Sequence, residues 1–493
     1  MESPDAAASG ALGDVVERSE VEPVNKKEWR SLYQKREKIH PKRAEGTFRR
    51  IKWIVMAVTL AIYYLAPWLR WDRGPDAPDQ AILIDMPARK FYFFFIEIWP
   101  QEFYYVTGLL ILAALSLFLI TSVAGRVWCG YTCPQTVWTD LFIAVERMIE
   151  GDRNARIKLD RAPFSMSKLR KRAEKHAIWL LIALCTGGAW VFYFADAPTL
   201  AGELLRFDAP AIAYITIGIL TGTTYLLGGF AREQVCTYMC PWPRIQSAMI
   251  DEDSLIVTYH ADRGEPRGAH KKGESWEGRG HCVDCNQCVA VCPMGIDIRD
   301  GMQLECISCA LCIDACDGVM DKVGLPRGLI AYDTITNMER RAEGKKPIGH
   351  ILRPRTILYA SLIAVIGSVM LYLLATRSDL ELNVLRDRNP LFVTLSDGSI
   401  RNGYTVKILN MAHETRTFGL TVEGLENPTY TVVGAEDVSA LTVGPDSVGS
   451  FRIFVAVPQG TIHHGSKDVE FVITDKATGD EVENETSFKG PRR

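Results

Sequence analysis

Five long apolar runs, a doubled cysteine run and a closing stretch of short alternating segments predict a multidomain membrane protein. Its parts are five transmembrane α-helices, an inserted cytoplasmic ferredoxin domain of bacterial 2x(4Fe-4S) type, and a C-terminal all-β immunoglobulin-like sandwich. The 493 residues leave room for several domains, and 56 basic against 59 acidic residues give no basic excess for nucleic acid to read.

Residues 1–50 are polar, carry eleven Lys or Arg and contain no apolar run, so they read as a cytoplasmic tail and not as a cleaved signal peptide. The apolar runs are Ile51 to Leu69, Phe103 to Val123, Ala177 to Ala195, Ala211 to Phe230 and Ile357 to Ala375. Each comes close to the roughly 20 residues that a helix needs to cross hydrocarbon. Eleven Lys or Arg precede the first run and eleven lie between Ala124 and His176, against three in Trp71 to Glu102 and one in Asp196 to Pro210. The positive-inside rule then puts the N-terminus and the second loop in the cytoplasm, and five spans send the C-terminus outside. The expected domains are 1–50, a tail; 51–230, four spans; 231–350, the cytoplasmic ferredoxin domain; 351–378, the fifth span; and 379–493, a periplasmic sandwich. Within the first outer loop the aromatic stretch Arg89 to Tyr105 should lie at the membrane surface, as Trp and Tyr prefer.

Residues 282–316 hold eight of the thirteen cysteines, spaced C-x2-C-x2-C-x3-C-P and, after thirteen residues, C-x2-C-x2-C-x3-C. In such runs three thiolates hold one cubane and the fourth reaches the neighbouring one. The expected sets are Cys282, Cys285, Cys288 and Cys316 on one 4Fe-4S cluster, and Cys306, Cys309, Cys312 and Cys292 on the other. A zinc site would stop at four ligands, whereas these eight saturate two cubanes without remainder. Asp317 follows Cys316 where Pro293 follows Cys292, a departure that can tune a potential without preventing ligation.

Four further cysteines form a repeat, GRVWCGYTCP from Gly125 and AREQVCTYMCP from Ala231, each reading C-x-Y-x-C-P at the end of an apolar run. Helical spacing puts Cys129 with Cys133, and Cys236 with Cys240, on one face each. Soft thiolates of this kind select Cu(I), Zn or iron-sulfur centres. Cys185, without such a partner, reads as packing. No C-x-x-C-H and no Gly-rich dinucleotide fingerprint occurs, so neither covalent haem nor a nicotinamide or flavin site is indicated.

Taken together, the doubled cysteine run, the paired C-x-x-x-C-P sites, GLPRGLIAYDT after the clusters, RPRT before the last span and RDRNP opening the outer domain resemble the cytochrome c oxidase accessory family called CcoG, FixG or RdxA. The resemblance covers the chain beyond its first thirty or so residues. It implies a role in assembling a cbb-type cytochrome c oxidase, with Cu(II) reduced to Cu(I) for the catalytic subunit. It makes Cys129, Cys133, Cys236 and Cys240 a candidate copper site, with copper as substrate or ligand. The partners implied are oxidase subunits or copper chaperones, a cytoplasmic electron donor that the sequence does not name, and membrane lipid. Two alternatives stand beside it: a quinol-linked electron carrier similar to NapH and NosR, and an assembly scaffold with structural clusters.

Overall fold

The computed structural model describes residues 16, 18–24, 38–75, 77–270, 275–349, 351–433, 438–462 and 464–492. The chain divides into two compact units, one of residues 1–69 with 80–370 and one of residues 70–79 with 371–493.

Four of the described helices are long and apolar enough to cross a membrane: Thr47–Trp68, Pro100–Ala124 and Ala211–Ala231 in the first unit, and Pro354–Ala375, whose last residues belong to the second. They expose Ile54, Ile62, Leu110 and Ile219 where a soluble protein would bury them, which suits a lipid-facing surface. The run expected at Ala177 to Ala195 lies in the helix Met166–Val191. That helix is charged over Lys168, Arg170, Lys171, Arg172, Glu174 and Lys175, and its apolar part closes at Val191. This leaves about 22 Å of apolar helix against roughly 30 Å of hydrocarbon, which is why it is not among the four.

The aromatic stretch after the first span folds as a meander of β1 (Ile82–Asp85), β2 (Lys90–Phe93) and β3 (Ile96–Ile98), with Phe94 and Phe95 exposed at its turn. Strand β4 (Ile256–Tyr259) pairs antiparallel with β5 (Ile330–Asp333), and these two flank the cysteine-rich segment. Part of the N-terminal region packs onto that segment. Val16 is buried in its core, Ser19 N donates to Cys285 O at 2.9 Å, and Lys42 N donates to Ala290 O at 2.7 Å. Side chains add to the attachment, with Arg18 paired to Asp284 at 2.9 Å and Lys42 Nζ donating to Gln287 Oε1 at 3.2 Å.

The second unit is a sandwich of two antiparallel sheets. One has the order β10 (Thr429–Val433), β12 (Ser447–Val457), β8 (Ile400–Asn410), β6 (Leu380–Arg386), with β7 (Val393–Thr394) also on β8; the other is β11 (Leu441–Val443), β9 (Arg416–Glu423), β13 (His464–Asp475), β14 (Glu481–Arg492). Alternate residues point inward, so that Tyr404, Val406 and Ile408 of β8 meet Phe418 and Leu420 of β9 and Phe471 and Ile473 of β13 in one core.

Candidate iron-sulfur and dithiol site

The eight clustered cysteines line two cavities. One is bordered by Cys282, Cys285, Cys288 and Cys316. The other is bordered by Cys292, Cys306, Cys309 and Cys312, with Cys288 at its edge. The fold thus sorts the thiols in the crossed manner, because the short helix Gln287–Val291 carries Cys288 towards one cavity and ends at Cys292 beside the other. The helix Leu311–Val323 does the same with Cys312 and Cys316. Each cavity has the donor number of one cubane, so the residues fit two 4Fe-4S clusters.

Backbone geometry repeats between the two halves. Asp284 and Ser308, two residues into each run, have φ of 51° and 53°; Asn286 and Ala310, four residues in, have φ of 55° and 61°. Left-handed non-glycine residues are uncommon, and here they curl each loop so that its amides face sulfur, as in Ser308 N to Cys306 Sγ at 3.5 Å. Burial pushes the thiols of Cys292 and Cys306 up, to about 12 and about 11, with Cys309 adding to both. Such groups stay deprotonated only against a cationic metal centre. Arg299, nearly buried, bonds Asp284 at 2.7 Å and Asn286 at 2.8 Å within the first loop. Asp317, in the place of the second proline, accepts a bond from Gly328 N at 2.9 Å.

The C-x-x-x-C-P segments share a backbone as well as a sequence. Four residues before the first cysteine, Gly125 has φ 57° and ψ −122°, and Arg232 has φ 44° and ψ −113°. Cys133 N then donates to Trp128 O at 3.0 Å, and Cys240 N to Val235 O at 2.8 Å, the same five-residue closure in both. Cys133 and Cys240 are extended, with ψ of 127° and 123°, as a residue before proline must be. Helical i, i+4 spacing is therefore not what relates the cysteines of a pair; a widened π-type turn is. Arg232 holds the strained position through Glu146 at 3.0 Å and Gly229 O at 2.7 Å.

Burial pushes Cys129 up to about 12, with Cys133, Cys236 and Cys240 contributing, and it pushes Cys236 up to about 12, with Cys133 and Cys240 contributing. In the fold, Cys129 and Cys236, one thiol from each repeat, pack in one apolar cluster with Cys309, Cys292 and Cys306. Cys129 Sγ donates to Gln246 Oε1 at 3.2 Å. Among the described residues no three His, Cys, Asp or Glu side chains converge as ligands of a single ion.

This neighbourhood abuts the second cavity. Tyr131 Oη donates to Cys309 O at 3.2 Å, Arg126 Nη1 donates to Cys306 O at 3.3 Å, and Arg126 Nη2 reaches Pro243 O at 2.6 Å. Gly130 lies so close that a Cβ would stand 2.7 Å from Ile307 O and 2.9 Å from Cys309 Cα. Sequence alone marked an Arg before each pair, Arg126 and Arg232, without a role, did not single out Gly130 or Gln246, and gave the two repeat tyrosines equal weight. Tyr131 is buried against Cys309, whereas Tyr238 is 75% exposed. A further cleft opens beside Cys306, walled by Ile250, Ile256, Met302 and Leu304 with Arg126 and Gln303. Within the helix Met166–Val191, His176 Nδ1 shares a hydrogen bond with Tyr225 Oη at 2.9 Å.

Residues 231–335 match the model of a 4Fe-4S dicluster domain, 106–149 that of a 4Fe-4S binding domain, and 370–491 that of the IG-like fold at the C-terminal of FixG. The nitrogen fixation protein FixG of Rhizobium meliloti (strain 1021) is 55% identical over 509 residues, covering 97% of this chain and 97% of that protein. The chain belongs to the FixG/RdxA family. Protein RdxB of Cereibacter sphaeroides is 54% identical over 466 residues, covering 93% of this chain and 98% of that one. A crystal structure of a FixG-related protein from Vibrio parahaemolyticus is 23% identical and covers 23% of this chain and 96% of that chain, with a TM-score of 0.20. The chain is thus a FixG/RdxA-type protein with 4Fe-4S domains, helices able to span a membrane and an IG-like domain.

Proposed function

We propose that the protein serves assembly of a cbb-type cytochrome c oxidase in the bacterial inner membrane by reducing Cu(II) to Cu(I). In this reading Cys282, Cys285, Cys288 and Cys316 hold one cluster and Cys306, Cys309, Cys312 and Cys292 the other. When bound, the two clusters supply single electrons, the number that conversion of Cu(II) to Cu(I) consumes. The observation that carries the reading is the direct packing of Gly130 and Tyr131 on the Cys309 loop, with Cys129 and Cys236, one thiol from each repeat, in the same packed cluster as Cys309. Copper is the substrate. Cys129, Cys133, Cys236 and Cys240 receive it, and thiolates favour the cuprous ion formed. Tyr131 and Arg126 tie the dithiol segment to the second cavity's loop and keep the spacing fixed.

The topology that goes with this has five spans, including the shorter apolar part of the helix Met166–Val191. The N-terminus and clusters are cytoplasmic, and the sandwich is periplasmic, where it meets oxidase subunits or a copper chaperone. The test is turnover of Cu(II) by the reduced, purified protein, read with a cuprous-specific chelator. Cys129→Ser with Cys236→Ser should abolish it while the iron content stays at the parent level; normal turnover in that variant refutes the copper assignment.

A second reading, quinol-linked electron transfer, is favoured by the apolar cleft beside Cys306, whose Met302 and Leu304 are exposed and whose polar groups are few. Reduction of the iron-sulfur signal by a soluble quinol analogue, lost in Leu304→Trp, is the result that would prefer it.

A further inference from the structure

A cavity of about 760 Å³ lies at the start of the first candidate span, and no cysteine is among its lining residues. Four arginines line it, Arg43, Arg49, Arg50 and Arg147, together with Trp53 and Met148. We propose that it is a binding site for a phosphate-bearing anion, supplied by the headgroup of an anionic phospholipid.

The charges facing the cavity come from two stretches of chain, 43–53 and 144–148. Arg49 is committed to Asp140, whose two oxygens it bonds at 2.9 Å, and it also lies over the Trp53 ring at 4.3 Å. Lys52 stands 3.9 Å from the same carboxylate. Arg43 pairs with the lining residue Glu45 at 3.1 Å, both well exposed, a contact that water screens. Arg147 has Asp152 only at 3.8 Å and spends its Nη2 on the carbonyls of Pro41 and Lys42 at 3.3 Å each. Arg50, exposed, has no carboxylate at ion-pair distance among the described residues. Burial and the repulsion of Arg156 and Arg49 push Arg147 down to about 10, so a bound anion would relieve it. The first helical amides do not hold the anion, because Asp314 already accepts from Phe48 N at 3.1 Å and Arg49 N at 2.7 Å. Guanidinium groups are therefore the binding elements, and their fork suits phosphate oxygens.

Two features select a lipid over a soluble phosphate. Arg50 heads a face that continues at helical spacing through Ile54, Val58, Ile62 and Leu65, which are 63%, 51%, 62% and 60% exposed, a track for an acyl chain. Trp53, 40% exposed at the cavity wall, takes the interfacial position of a membrane-anchoring tryptophan. Basic pockets at the ends of membrane helices are where anionic headgroups dock.

The experiment is native mass spectrometry of the full chain in detergent with phosphatidylglycerol, phosphatidylcholine or inorganic phosphate. Phosphatidylglycerol should be retained at least tenfold over phosphatidylcholine, and inorganic phosphate in excess should not displace it. Arg50→Gln with Arg43→Gln, both at exposed positions, should abolish the preference, whereas Arg170→Gln, an exposed arginine elsewhere, should keep it. Equal retention of both lipids, retention unchanged in the double variant, or displacement by inorganic phosphate overturns the proposal.

Discussion

Replacing Gly130 by Ala tests whether the dithiol segment and the second cavity act as one unit. The added Cβ would stand 2.7 Å from Ile307 O, 2.9 Å from Cys309 Cα and 3.0 Å from Cys309 N, all backbone atoms with no rotamer to yield. Overpacking of this kind costs about 1–3 kcal/mol. Against it stands the gain of roughly 1 kcal/mol when Ala replaces Gly in a helix, since Gly130 belongs to Val127–Tyr131. The net loss is then about 0–2 kcal/mol, too small to unfold the chain but enough to part Tyr131 from Cys309 O. If that energy is felt in the electron-transfer geometry, copper turnover falls by up to about 30-fold. The control is Gly188→Ala, where a Cβ meets nothing within 4 Å and stability should hold or rise. Thermal melts and electron paramagnetic resonance of the reduced protein read the result: one cluster signal shifted, the other unchanged, in Gly130→Ala only. Identical spectra, melting and turnover in both variants would refute the coupling.

The crossed thiol sorting makes iron content diagnostic: Cys285→Ser with Cys316→Ser should leave one cluster, about four irons per chain, while Cys285→Ser with Cys292→Ser should lose both; the reverse outcome means uncrossed ligation. Glu146 is fully buried among Arg232 at 3.0 Å, Arg156 at 3.1 Å and Lys175 at 3.4 Å, so Glu146→Gln should cost about 3–5 kcal/mol in a denaturant titration. Although burial opposes it, Arg232, Lys175 and Arg156 hold this carboxyl down at about 2, so its contribution is complete above its ordinary value of 4.5 and fades as pH falls from there towards 2. Melting temperatures that do not fall between pH 4.5 and 3, or a variant as acid-sensitive as the parent, would count against that account. In metal-stripped protein, burial holds Cys129 and Cys236 near about 12, so their alkylation rate should climb roughly tenfold per pH unit from 7 to 10, and a plateau near pH 8 would contradict it.

Sequence alone determined what is written as local spacing. The two four-cysteine runs announce two cubanes because ligand spacing is a property of a short loop, and the expectation of a crossed partition rests on the longer gap before Cys292 and Cys316. The strands after 379 were legible because a half-buried sheet imposes a period of two. Four of the five apolar runs appear as helices long enough to span, since length and composition decide that by themselves. The meander at Ile82–Ile98 was not legible: its aromatic composition is shared by surface helices and strands alike.

Tertiary structure decided the rest, because it joins residues with no shared local pattern. Gly130 and Cys309 are 179 positions apart, and only packing explains why a side chain is excluded between them. The repeat suggested two equal tyrosines, yet one side of the pseudo-symmetric pair faces the ferredoxin core and the other does not, so Tyr131 is buried and Tyr238 is not. Arg232 adopts the conformation of Gly125 at a cost that Glu146 and Gly229 offset from other turns of the fold. A one-dimensional pattern names the thiols; which thiols share a cavity wall, and which backbone touches it, is set by burial over long separations.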